Sequence, residues 1–396
     1  MLNEQTFKNL SKQWQEPSWL LERRKEAFEQ FKESEMPSFK YGIGIFVDVS
    51  DLDLNAINPL DDKNEDYVVK SEVAEILSFQ EALQKYPDIL EEFFFKKGEL
   101  YENKLTALHS AFFTQGLVIR IPKNATLNKP IQIYEEMKAS AKISTILIVA
   151  EPNSKAVVIE ALRSINDEQQ RFRSQEICII VKENAQIEYK TIQNVSKSTY
   201  HFSQRKASVA RKGIIHWIDC YIGGKLTQAK TKTFLDGEGA ETKSFGITFG
   251  DQTQCFDINY ETTHKASKTN SNMLTKVVLN DKAKIVYRGL IKIAPLAIGC
   301  EGYQKDDTIL LSENAHADSV PNLEIANNDV KCSHGATISQ IDEEKLFYMK
   351  SRGLDEKTSK KMIVEGFFDP IIIKIEDEAL QDEIKNKISE RLGALC

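Results

Sequence analysis

Thr145-Ile146-Leu147-Ile148-Val149, then Asn153-Ser154-Lys155-Ala156, then Val157-Val158-Ile159, holds in fifteen residues the pattern that decides the fold. A short β-branched strand ends in a polar turn, a small residue follows, and a new strand begins. The unit recurs on both sides. Polar turns with a small residue stand at Lys123-Asn124-Ala125, Glu183-Asn184-Ala185, Asn280-Asp281-Lys282-Ala283 and Glu313-Asn314-Ala315. Strands are read at Val118-Ile119-Arg120-Ile121, Ile131-Gln132-Ile133-Tyr134, Ile177-Cys178-Ile179-Ile180-Val181, Ile187-Glu188-Tyr189, Ile214-Ile215-His216-Trp217-Ile218, Lys284-Ile285-Val286-Tyr287 and Ile309-Leu310-Leu311. The alanines at 125, 156 and 185 are 31 and 29 residues apart, and those at 283 and 315 are 32 apart. Stacked coils need a small residue at a recurring corner, so the spacing points to a β-solenoid. Many short strands between turns also fit a sandwich, and the repeat is lost between 185 and 280.

Helical periods flank this core. Toward the N-terminus, Pro17-Ser18 opens a segment carrying Trp19, Leu20, Ala27, Phe28 and Phe31 on one face, closed at Met36-Pro37. An irregular acidic stretch follows over Asp51 to Asp66, and helical periods return over Phe79 to Phe95 and Lys104 to Phe113. After Ile338, Asp342-Glu343-Glu344 places acids in the first turn of a helix that Gly353 stops. Asp355 caps a helix over Glu356 to Glu365 that Gly366 closes. Ile371-Ile372-Ile373 reads as a strand, and a last helix runs from Glu376 to Leu392. The expected organisation is a helical region over 1–115, a β core over 116–340 and a helical region over 341–396.

The 396 residues are 41% hydrophobic and 28% charged, as in globular proteins, with a formal net charge of −7. That balance argues against a general nucleic-acid surface, which needs a basic excess. No apolar run reaches the length of a membrane span. The N-terminus lacks the features of a secretory signal. The six cysteines (Cys178, Cys220, Cys255, Cys300, Cys332, Cys396) are dispersed, which fits a reducing, cytoplasmic setting. Phosphate-loop, nucleophile-elbow and H-E-x-x-H signatures are all missing, and Gly237, Gly239 and Gly250 read as turn glycines. No carboxylate pair stands out as an acid/base couple.

One constellation invites chemistry. In Lys331-Cys332-Ser333-His334-Gly335-Ala336-Thr337, Cys332 and His334 share a face if the segment is a strand. Thiolate and imidazole both ligate iron or zinc, but two ligands need others, from Cys300, Glu324, His316 or a second chain. A buried cysteine beside a hydrogen-bonded histidine fits the same residues. His201, His216 and His264 read as structural or surface histidines. Cys178, Cys220 and Cys255 read as small core residues and Cys396 as part of a mobile end.

The stretch from Ser312 to Ile325, with Pro321-Asn322-Leu323-Glu324-Ile325, resembles the "LLS-x-x-A-x-A-x-S-x-P-x-LEI" pattern of the SufB/SufD family of iron–sulfur cluster assembly proteins. Asp329 to Thr337 is similar to its "DVKCSHGAT", Leu346-Phe347-Tyr348 with Ser351-Arg352-Gly353 to its "LFY-x-x-SRG", followed by Gly366-Phe367. Ala111-Phe112-Phe113, Ile119-Arg120-Ile121-Pro122 and Tyr287-Arg288-Gly289 resemble its entry and a later strand. The segment Ile298-Gly299-Cys300-Glu301-Gly302 departs from the family, and no role passes to Cys300. The SufB branch carries a cysteine where this chain has Ala315 and a glutamate where it has Gly335, so the pattern resembles the SufD branch.

That resemblance implies a right-handed parallel β-helix flanked by N-terminal and C-terminal α-helical regions, acting as a non-catalytic scaffold. It implies partnership with a SufB paralogue along the last strands, and with the SufC ABC-type ATPase through the C-terminal helices, with Leu346, Phe347, Tyr348, Arg352, Gly353 and Phe367 as partner-binding positions. ATP-driven motion would open the SufB–SufD interface. It places a transient iron–sulfur cluster or iron at His334 and Cys332, shared with SufB, with no cofactor tightly bound to the isolated chain. A homodimer is possible in the absence of SufB; neither nucleic acid nor membrane is expected as a partner. The competing function is a carbohydrate-active β-helix enzyme, which would want export, a carboxylate groove and aligned aromatics.

Overall fold

The computed structural model describes residues 2–394 except 38, 42–44, 62–67, 72, 95–101, 166–167 and 376. Cys396, Phe95, Glu376 and part of the acidic 51–66 stretch therefore lie outside the described residues. The core is a parallel β-solenoid. Two sheets of nine strands face each other across a lumen, and each strand pairs with the one two places on in sequence, one coil away. One sheet ends in Val330–Gln340 and the other in His316–Ile325. At the opposite end two short strands, Val68–Lys70 and Glu75–Ser78, pair antiparallel with the first coil.

A corner ladder sets the coil. Asn124, Asn153, Asn184, Lys212, Gly239, Lys268 and Gly299 all have positive φ and recur every 27 to 31 residues. Each backbone N–H donates to a carbonyl of the next coil, as Asn153 does to Glu183 (3.0 Å) and Lys212 to Glu238 (3.0 Å). Asparagine tolerates this left-handed conformation through its short polar side chain, and glycine has no Cβ to obstruct it. The side chains stack as well: Asn184 donates to Asn153 (3.1 Å), which donates to Asn124 (2.9 Å).

The small-residue spacing read from the sequence merges two corners. Ala125 and Ala185 follow left-handed residues on this ladder, where Ser154 is the intermediate rung. Ala156 lies inside the strand Lys155–Ser164, and Ala283 follows left-handed Asp281 at another corner. The coil also continues unbroken between 185 and 280, through Leu226–Leu235, Glu241–Gly250, Cys255–His264 and Asn270–Leu279.

Helices cover both outer faces. α1 (Glu4–Trp14), α2 (Ser18–Glu33), α3 (Phe79–Lys85), α4 (Pro87–Phe94) and α5 (Lys104–Phe112) belong to the N-terminal side. They bury Phe28, Leu108 and Phe112 against Val118, Leu147 and Cys178 of one sheet. The helix expected over Phe79–Phe95 is two helices, because Pro87 cannot donate into the preceding helix and starts the next. On the other sheet, α7 (Glu356–Ile372) and α8 (Glu378–Ala394) bury Phe368, Ile371, Ile384 and Ile388 against Ile218, Phe245 and Ile247. α6 (Glu343–Ser351) precedes them, capped by Asp342 and followed by Gly353 at φ +93.

The strand expected at Ile371–Ile373 is corrected: α7 passes through Gly366 and reaches Ile372. Val364, Phe368, Ile371 and Ile372 fall on one helical face, and burying them outweighs the β preference of consecutive isoleucines. Gly366 is exposed mid-helix and closes nothing.

Candidate functional site at the open end of the solenoid

Inside the coil, strand alternation sends every second side chain into the lumen. Part of the lumen is apolar, with Ile148, Ile179, Tyr189 and Trp217 in one cluster. The rest holds buried charges. Arg173 pairs with Glu135 (2.6 Å) and Glu160 (3.4 Å), and contacts the His201 ring (3.0 Å). Arg205 forms a fork with Asp219 (2.6 and 2.7 Å), to which Tyr260 also donates (2.5 Å). Burial, reinforced by the arginines, holds His201 well below its usual range, so it is neutral and structural. His264 is pushed down to about 4 by burial and lies between the Thr269 and Ser271 hydroxyls (2.8 Å each). His216 sits outside, between Glu188 (3.7 Å) and Glu241 (3.9 Å). The hydrogen bond from His216 comes first among the causes that lower Glu188 to about 2.

Cys332 and His334 sit on Val330–Gln340, in register with Gly302 and Gln304 of the coil beneath. Both belong to the lumen-facing row, as strand geometry requires of residues two apart. That strand has a neighbour on one side only, so His334 is exposed while Cys332 is half-buried. A Cβ at Gly302 would lie 3.2 Å from the Cys332 sulfur and 3.1 Å from Ile291, which shows the thiol directed onto the coil below. Burial raises its pKa, partly offset by a backbone hydrogen bond from Gly302. A metal would therefore displace a proton on binding this sulfur.

The other ligands considered from sequence do not gather here. Glu324 pairs with Lys292 (2.7 Å) on the outer face, and His316 is exposed on the outward-facing row. Cys300 is buried one coil below against Thr269 (3.1 Å) and carbonyls of the corner. Among the described residues no three of His, Cys, Asp and Glu come together to hold a metal. Of the residues considered, Cys332 and His334 share the lumen-facing row of one strand.

The rest of the last coil is bare. Ile325 and Ile338 are 43% and 44% exposed, and both terminal strands present an unpaired backbone edge. On the helical side Phe347 (74% exposed) and Tyr348 (57%) project from α6, with Arg352 over the Tyr348 ring at 5.2 Å. Leu346, by contrast, is buried, and Phe367 is half-buried under Lys276 (4.1 Å to the ring). Ala315 is buried, and Gly335 faces open space.

Residues 133–367 match the model of the SUF system FeS cluster assembly SufBD core domain, and residues 47–133 match that of the SufBD protein N-terminal region. The chain belongs to the SufBD family. Iron–sulfur cluster assembly SufBD family proteins of Staphylococcus saprophyticus and Staphylococcus aureus are each 31% identical to it over 291 residues, and one of Staphylococcus epidermidis is 30% identical. The matched stretch is 73% of this chain and 63% of those relatives. SufBD proteins are thus the setting in which the open end has to be read. No described helix is long and apolar enough to cross a membrane.

Sequence reasoning missed the residues directly below His334. Gln304, Asp306 and Ser319 are placed beneath or beside the open coil by strand alternation alone. The signal was available, since 300, 302, 304, 306 and 308 share the lumen face with Cys332 and His334 once the register is known.

Proposed function

We propose that this chain is a SufD-type, non-catalytic scaffold subunit of an iron–sulfur cluster assembly complex. Its bare last coil pairs with a SufB paralogue by strand augmentation, the mode in which an exposed edge accepts another chain's strand. The nascent cluster, or the iron for it, is cargo at that junction. His334 supplies an imidazole, Cys332 lies beside it, and the paralogue completes the ligand set. The observation that carries this reading is the position of His334, exposed on the lumen-facing row of a strand with one edge unpaired. Ala315 and Gly335 remove the groups the SufB branch carries, in line with an assisting subunit.

α6 and its C-cap offer Phe347, Tyr348 and Arg352 to the SufC ATPase, while Leu346 is buried and Phe367 packs against the core under the C-terminal helices. ATP-driven motion of SufC then acts on the tail and opens the junction with SufB. The same edge can accept a second copy of this chain when no paralogue is present, and a cytoplasmic setting follows from the assembly role.

The test is His334→Ala in cells that depend on this pathway. Expected is loss of cluster maturation, with co-purification of the paralogue and the ATPase retained and folding stability within about 0.5 kcal/mol of wild type. Normal cluster maturation in that variant would remove His334 from the site.

A further inference from the structure

Among the described residues, the buried carboxylates have built-in counter-ions, with one exception. Glu135 and Glu160 face Arg173, and Asp219 faces Arg205. Glu151 faces Arg120 and Lys182, Asp251 faces Lys197 and Arg391, and Asp257 faces Arg288. Asp306 is just as buried, at 2% exposure, yet among the described residues no lysine, arginine or histidine pairs with it. A buried carboxylate costs several kcal/mol unless something compensates it.

What surrounds Asp306 is a set of oxygens. Its own Oδ1 and the Oε1 of Gln304 are buried without a hydrogen-bond partner, beside the buried hydroxyls of Ser319, which hydrogen-bonds Asp306, and of Tyr287, whose hydrogen-bonding neighbour is Thr275. Gln304 spends its amide N–H on the Asn322 carbonyl (3.3 Å), which leaves its oxygen free. Gly289 makes room for that oxygen: a Cβ there would lie 2.3 Å from Gln304 Oε1 and 3.3 Å from the Tyr287 hydroxyl. Ser319 is the near polar neighbour of Asp306, and the Asp306 charge is felt at Tyr287. Four oxygens from three successive strands thus neighbour one another in the lumen, Ser319 in the last coil and the other three in the coil beneath it. Gln304 and Asp306 are in register with His334 and Ala336 above them.

Each buried polar atom left without a partner costs roughly 1–3 kcal/mol. One occupant removes both of these costs together. A carboxylate with neutral carbonyl and hydroxyl oxygens is the donor set of hard divalent cations, which take oxygen ligands and retain waters. We propose that this oxygen set, Asp306 with Gln304, Tyr287 and Ser319, binds one hard divalent cation within the lumen, beneath the cluster-forming edge. Its ferrous identity, and only that, rests on the iron–sulfur assembly reading. In that role the set holds iron(II) on oxygen ligands below His334.

The experiment uses the full chain, stripped of metal and kept anaerobic at neutral pH, titrated with Mn(II) while free Mn(II) is read by electron paramagnetic resonance. Expected is one Mn(II) per chain, at least ten-fold weaker binding in Asp306→Asn, and unchanged binding in Asp307→Asn, whose carboxylate points outward to Lys276 and Lys305. Ser319→Ala is the second variant should Asp306→Asn fail to fold, and it must also weaken binding. Equal uptake by wild type and Asp306→Asn, or none by wild type, overturns the site and assigns Asp306 as a buried neutral acid. Competition with Fe(II) then separates the two layers of the inference. Failure of Fe(II) to displace Mn(II) overturns the ferrous assignment, whereas failure of the His334→Ala test bears on the assembly reading alone.

Discussion

The two ends of the solenoid solve the same problem in opposite ways. At the first coil, the antiparallel strands Val68–Lys70 and Glu75–Ser78 cover the edges, and α3 follows directly behind them. Nearby, Arg24 is fully buried. It bonds Glu16 (2.9 Å) and the carbonyls of Ala111 (2.9 Å) and Phe113 (3.0 Å), and lies 3.9 Å from the Phe113 ring centre. At the last coil none of the described residues pairs with the edge. Proteins ordinarily blunt such edges to avoid uncontrolled pairing. In the proposed function the second edge is the one that accepts a partner's strand. The lumen repeats the contrast, with arginines balancing the acids in its early and middle coils and none balancing Asp306.

The comparison can be broken at its closed end first. Arg24→Ala leaves the Glu16 carboxylate, whose side chain is fully buried, without its partner. It should cost about 3–5 kcal/mol, read as a lowered midpoint in urea unfolding. A loss below about 1 kcal/mol would show that the cap does not depend on this group.

Acid offers a gentler probe of the same region. His109 is buried between Ser174 (2.9 Å) and Thr145 (3.1 Å), and burial, then Arg24 and Arg173, pushes it down to about 3. The unfolded chain takes up that proton near 6.5 while the folded chain refuses it. Stability from this group is therefore complete above pH 6.5 and falls as pH drops toward 3, by about 1.4 kcal/mol at pH 5.5. His109→Gln should flatten that part of the stability–pH curve, and an unchanged slope would place the acid sensitivity elsewhere.

The open end should answer with almost no change in stability. Ile338→Lys places a charge on the exposed lumen-facing row and should shift unfolding by less than about 0.5 kcal/mol. Its effect belongs to association: pairing with the paralogue, or with a second copy, should be lost in analytical ultracentrifugation. If pairing survives, the edge used is another one.

Much of this was legible in the chain itself. The strands read from sequence are those whose alternation is apolar on one side, such as Ile146, Ile148, Ile177 and Ile179. Three of the strands between 226 and 279, Leu226–Leu235, Glu241–Gly250 and Asn270–Leu279, escaped because their lumen side carries Thr231, Thr233, Thr242, Ser244 and Thr275, so polar residues break the apolar alternation of the buried row. α7 was cut short because β-branched isoleucines carry a strand preference that only a tertiary partner overrides. At the site, Cys332 and His334 were visible as a pair two apart. Asp306 was not, because its meaning lies in what fails to face it, and charge pairing across coils cannot be read before the register is known.

The left-handed corner has a last consequence, for length. Because each coil is re-phased at that corner, a residue gained or lost in a loop elsewhere is absorbed within its own turn, which is why spacings from 27 to 31 residues coexist in one straight stack. Whole turns are then the natural unit of growth. Each adds one strand spacing, about 4.8 Å, so seven steps separate the first parallel strand of a sheet from the eighth by roughly 34 Å. The protein is in that sense a ruler, and its number of turns sets how far the capped end stands from the open edge.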